Sequence, residues 1–71
     1  MNRPFHYYVV DSYGHPVMLD DKTKTLILGK RVFYEKDEAK RERRRAERAI
    51  CRISGVIKPL FLKRSGDSLV L

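Results

Sequence analysis

Apolar positions along the chain change period once. Up to Tyr34 they come in short runs split by polar, glycine or proline breaks, and from Lys36 to Ser54 they recur every three or four residues. The first pattern predicts strands and the second a helix. Phe5-His6-Tyr7-Tyr8-Val9-Val10 is aromatic and β-branched, as a strand prefers. Asp11 to Pro16 reads as a turn, with Asp and Ser bonding their own backbone and Gly14 supplying φ > 0. Val17-Met18-Leu19 is a short return strand that completes a hairpin, and Asp20-Asp21-Lys22 is a second turn. Thr25 to Leu28, the Gly29 break and Arg31 to Tyr34 read as one bent strand or a second hairpin.

No glycine or proline interrupts Lys36 to Ser54, and strong helix formers dominate there. Asp37 and Glu38 suit the first turn, Glu35 is a mediocre N-cap, and Gly55 stands where a left-handed C-terminal residue belongs. Successive residues turn by about 100°, which puts Ala39, Ala46, Ala49, Ile50 and Ile53 on one stripe. The alanines let the helix lie close to a sheet, and Ile50 and Ile53 are the expected anchors, at ~1.5–3 kcal/mol for each buried side chain. Val56 to Leu62 predicts a closing strand, at a sheet edge or with a bulge because Pro59 has no N–H.

The expected fold class is α+β. A small antiparallel β-sheet of three to four strands carries one long α-helix packed across it, in ββ(β)αβ order. Residues 1–71 make a single domain, with about 64–71 a loosely held tail, unless Leu69-Val70-Leu71 adds a short strand.

A chain of 71 residues buries only ~60% of its unfolded surface, leaving little room for a deep small-molecule pocket. Sixteen Lys+Arg against nine Asp+Glu give +7, a field that attracts nucleic acid, acidic lipid or an acidic protein face. The same charge also suits plain solubility. The lone Cys51 forms no internal disulfide, so an intracellular setting is expected. No apolar run is long enough to span a membrane, and Met1 to Phe5 lack the apolar stretch of a secretory signal, so none is expected.

Charge position says more than charge total. Arg41, Arg44, Arg45, Arg48 and Arg52 fall within about 100° of each other on the helix, opposite the apolar stripe, and Lys40 borders them. Lys36–Lys40, Lys40–Arg44, Arg41–Arg45, Arg44–Arg48 and Arg48–Arg52 are like-charge i,i+4 pairs, each costing ~0.2–0.5 kcal/mol at low salt. Asp37–Arg41, Glu38–Arg41, Glu42–Arg45 and Arg43–Glu47 are expected to offset part of this. Arginine predominates, and its planar fork suits bidentate contact with phosphate or carboxylate. The face reads either as a phosphate-tracking or acid-binding surface, or as a solvated helix face that happens to be basic.

Elsewhere, His6, Tyr8 and Val10 share one side of the first strand and Phe5, Tyr7 and Val9 the other. One side packs under the helix. The other presents His6 and Tyr8 as a possible docking patch, or as ordinary surface aromatics. His6, His15 and Cys51 lack metal-ligand spacing, the aspartates lack that of a calcium loop, and the glycines form no phosphate-binding motif. No catalytic residue, metal or cofactor is expected.

Tyr-Tyr-Val-Val-Asp-Ser-Tyr-Gly (7–14), then Phe33-Tyr34-Glu35-Lys36-Asp37-Glu38-Ala39, a helix and a closing strand resemble a pattern in short bacteriophage proteins. Among these are small regulators that bind the host's bacterial RNA polymerase, block promoter initiation and in some cases suppress termination. The resemblance implies a non-enzymatic regulator in the bacterial host cytoplasm. Its implied partner is bacterial RNA polymerase, met near acidic surfaces or nucleic-acid channels, with no membrane and no small-molecule substrate. The motifs transfer no contact residues, so the candidate sites rest on helix geometry and strand pattern. An autonomous RNA- or DNA-binding protein using the same arginine face is the competing expectation.

Overall fold

The computed structural model describes residues 5–56 and 58–66. It is an α+β fold with four strands in two small antiparallel sheets and one helix. In chain order the elements are β1 (Phe5–Val10), β2 (Val17–Leu19), β3 (Leu26–Leu28), α1 (Lys36–Ser54) and β4 (Phe61–Gly66).

Strand pairing is where the structure departs most from expectation. β2 does not form a hairpin ladder with β1; the backbone pairing between the two segments is a single Val10–Pro16 bridge just ahead of β2. β1 pairs instead with β4, in a register running from Phe5–Gly66 to Val10–Phe61, and β2 pairs with β3. One expected sheet is thus two ladders, with β1 touched on its second edge by isolated bridges. The other of these bridges is Tyr7–Phe33, whose N–H groups donate to each other's carbonyls at 2.7 and 2.8 Å. β3 therefore stops at Leu28 and the chain bends past Gly29 to meet β1 at Phe33 alone, so Arg31 to Tyr34 forms neither a continuing bent strand nor a second hairpin. A Cβ at Gly29 would lie 2.8 Å from the Met18 sulfur, so the bend falls where a side chain would crowd β2.

The β1–β2 turn forms as its residues suggest. Asp11 Oδ1 accepts from the Tyr13 and His15 N–H groups at 2.9 Å each, and Gly14 has φ 86°.

The closing strand starts later than Val56. Leu60 gives its N–H to Glu47 Oε2 of the helix at 2.9 Å, and the ladder begins only at Phe61, beyond Pro59. Starting late, it runs on through residues 64–66, which the sequence assigns to the tail. Leu69 to Leu71 lie outside the described residues.

The core forms where β1, β2, α1 and the residue before β4 meet. Val9, Val17, Ala46 and Leu60 are buried together, with Leu26, Ile50 and Leu62 packed against them. Ala39, Ala46 and Ala49 are buried, so small side chains do seat the helix close to the strands. Ile53 does not anchor it, being 64% exposed. It lies on the right stripe, but the whole last turn of the helix, Cys51 to Ser54, is exposed. The last helical turn runs past the apolar layer that Ile53 would need.

The position that does bind helix to sheet is Glu42, the only buried charged residue among those described. Asp20 N–H and Pro16 C=O bond toward β3, to Thr25 O and Gly29 N. By strand alternation the Leu19 N–H and C=O therefore point away from β3. Side chains satisfy both. Glu42 Oε2 accepts from Leu19 N at 3.4 Å, and Arg31 Nη2 donates to Leu19 O at 3.0 Å. Arg31 Nη1 closes the ring on Glu42 Oε2 at 3.1 Å.

Glu42→Ala leaves the Leu19 amide and the Arg31 guanidinium without their carboxylate, and is expected to destabilise the fold by about 2 kcal/mol in urea titration. Ile53→Ala, at an exposed position, is expected to shift stability by less than about 0.5 kcal/mol. Equal effects of the two would refute this account of the helix seat.

Candidate polyanion-binding ridge

α1 is built for a one-sided charge display. Its N-cap Glu35 makes no side-chain capping bond, and Asp37 and Glu38 occupy the first turn. Gly55 ends it at φ 72°, with its N–H on Cys51 O at 2.8 Å. Ala39, Glu42, Ala46 and Ala49 face inward. Arg41, Arg44, Arg45, Arg48 and Arg52 are all exposed and outward, as is Lys40. Arg43 sits on the flank, half-buried, with its Nε buried and lacking a hydrogen-bond partner among the described residues.

Neutralisation of the ridge is sparser than the helical spacing suggests. Glu42 does reach Arg45, with Oε1 at 3.7 Å from Nη1. Its other oxygen is committed to Arg31, and Glu47 to the Leu60 amide. The pairs expected of Asp37 and Glu38 with Arg41, and of Arg43 with Glu47, are not among the ion pairs of the described residues. Within the ridge only Arg45 has carboxylate partners there, its second being Asp21 at 3.9 Å. The carboxylates that alternate with arginine in sequence are drawn inward to hold the fold, which leaves the outer cations to solvent or a ligand.

A residue outside the helix joins them. Lys24, in the β2–β3 connection, lines a depression of about 250 Å³ with Arg45, Arg48, Arg52, Leu19 and Ala49. Lys24 adopts φ 59°, the left-handed region, where a residue with a Cβ is strained by ~1–2 kcal/mol. Asp20 organises this connection. Its carboxylate accepts from Lys22 N–H at 2.9 Å, its carbonyl from Lys24 N–H at 2.8 Å, and its N–H donates to Thr25 O at 2.8 Å. The Lys22 N–H above all, with help from Thr23, holds the Asp20 carboxyl below the usual aspartate range despite opposing desolvation. Sequence reading passes over Lys24, because nothing local marks the left-handed conformation that turns it beside the helix.

The two other candidates stand elsewhere. β1 buries Val9 toward the helix, so His6 and Tyr8 point to the opposite side of the sheet, away from the ridge. There they are half-buried. Their rings stack at 6.1 Å, Tyr34 meets His6 edge-on at 6.3 Å, and Lys30 Nζ lies 4.5 Å from the Tyr8 centroid.

Searches against protein-family models, curated proteins and solved structures return no match to this chain. Among the described residues no helix is long and apolar enough to cross a membrane.

Because folding depresses the Asp20 pKa, its contribution is complete above the unfolded value and lost as pH falls through the folded one. Carboxyl-detected NMR is expected to place the Asp20 midpoint below that of an unstructured aspartate, with the Lys22 and Lys24 amide resonances moving along the same curve. An ordinary Asp20 midpoint would remove the carboxylate bond to Lys22 N–H as an organiser of this turn.

Proposed function

We propose that this chain is a non-enzymatic transcription regulator that binds bacterial RNA polymerase, inhibiting initiation, suppressing termination or both. Arg41, Arg44, Arg45, Arg48 and Arg52 form its contact face toward acidic protein or nearby nucleic acid. The observation that carries the binding role is the exposed ridge, in which Arg41, Arg44, Arg48 and Arg52 have no carboxylate partner among the described residues. Like-charge neighbours oppose the helix, and a merely solvated face could alternate signs and avoid that cost. The polymerase as partner is supported by the resemblance of residues 7–14 and 33–39 to a pattern in short bacteriophage proteins, among which are regulators of that kind. His6 and Tyr8 would add a second docking point on the far side of the sheet. Their mutual stacking and half-burial make them the weaker contributors.

A second reading, an autonomous nucleic-acid-binding protein, is favoured by the same unpaired guanidinium forks, which fit phosphate as well as carboxylate.

Pull-down with purified bacterial core RNA polymerase after nuclease treatment is the test. The wild-type chain is expected to be retained, and Arg44→Glu with Arg48→Glu to lose retention by at least about ten-fold while keeping its circular dichroism spectrum. Wild-type chain that passes through the polymerase column unretained would remove the polymerase reading. Retention of the double variant at wild-type level would show that the ridge is only solvated.

A further inference from the structure

The ridge is not uniform along its length. Three of its arginines, Arg45, Arg48 and Arg52, converge with Lys24 around one depression, and no carboxylate lines it. Asp21 and Glu42 fix the Arg45 fork from outside, at 3.9 and 3.7 Å. Lys24, Arg48 and Arg52 have no carboxylate partner among the described residues. The floor, Leu19 and Ala49, is apolar, buried backbone-bearing surface rather than a flexible loop. Cations from the helix and from the β2–β3 connection therefore line one depression with the buried Leu19 and Ala49, Lys24 being held there in a strained left-handed backbone.

We infer that this depression is a phosphate-binding site for the sugar–phosphate backbone of duplex nucleic acid. Lys24 and Arg48 would grip one phosphate, and the rest of the ridge would follow its neighbours. The site lies within the ridge through which the chain is proposed to bind, and so rests on that reading.

Charge and dimension favour a phosphate backbone over an acidic protein surface. Arg41 to Arg52 extends about 16 Å at ~1.5 Å per residue. Phosphates of one strand advance ~3.4 Å each along the duplex axis but wind round it, so a straight ridge of this length faces only the few on its own side. A row of like charges thus meets a short run of opposite ones. An isolated carboxylate on a protein surface satisfies one fork and leaves the others unpaired. The ridge reads no bases, so recognition is of backbone and independent of sequence.

The test is fluorescence anisotropy of a labelled duplex of arbitrary sequence, titrated with the full chain over a salt series. Lys24→Asn removes the charge while tolerating the left-handed backbone. Lys22→Asn makes the same charge change two residues away, in the same turn and outside the depression. Lys24→Asn is expected to weaken binding about five-fold and to reduce the log–log salt slope by about one. Lys22→Asn is expected to change affinity by less than about two-fold, and Lys24→Arg to restore it. Wild-type affinity in Lys24→Asn, or equal losses in the two asparagine variants, would overturn the site, the latter showing only net charge at work. Outcomes separate from the polymerase reading. Duplex binding that depends on Lys24, without polymerase retention, keeps the site and removes that partner. Polymerase retention without any duplex binding at low salt does the reverse.

Discussion

One buried carboxylate ties the parts of this molecule together. β2 is three residues long and has an edge that no β1 ladder covers, the single bridge lying just ahead of it, so the Leu19 amide and carbonyl would otherwise meet apolar surroundings. Unpaired backbone groups in such a place are costly. Glu42 and Arg31 serve as a substitute strand, one accepting and one donating. Because Glu42 belongs to the helix and Arg31 to the segment returning to β1, the same bonds fix the rotation of α1 about its axis. That rotation decides which arginines face outward and how near Lys24 comes to them.

The acidic residues of the helix explain how a repulsive ridge persists. On a bare helix Glu42 and Glu47 would soften their basic neighbours. Here each has stronger work across the interface, Glu42 with Arg31 and Leu19, Glu47 with the Leu60 amide ahead of β4. Tertiary bonds to buried or half-buried groups outweigh surface i,i+4 pairs, which contribute only a few tenths of a kcal/mol. Fold stability and outward positive potential are thus supplied by the same residues, and strengthening one does not weaken the other.

Much of this was legible in the residues themselves. The change of period at Lys36, the glycine after Ser54 and the alanine stripe locate the helix and its seat, because each is a local property. The outward arginines follow from the same geometry. Strand partners were not legible. Whether β1 meets Val17–Leu19 or the residues after Leu60 depends on contacts far apart in sequence, and both segments are apolar enough for either. Pro59 marks a disturbance, yet only the Glu47–Leu60 bond shows that the strand starts after it. Ile53 has the correct phase, but phase does not reveal where a sheet ends. Glu42 read only as a helical neighbour of Arg45, because nothing local indicates that Arg31 and the Leu19 amide wait on its inner side. Lys24 needed its backbone conformation as well as its position.

The β1–β4 ladder has a kinetic consequence. It joins the earliest described strand to the latest, so on a ribosome the aromatic residues of Phe5–Val10 emerge well before Phe61–Gly66 exist. At ~5–20 residues per second the interval lasts several seconds, in which β2, β3 and the helix are made before the partner of β1. Of the described strands β4 is therefore the last to be made, and until then the β1 edge that it covers has no partner strand.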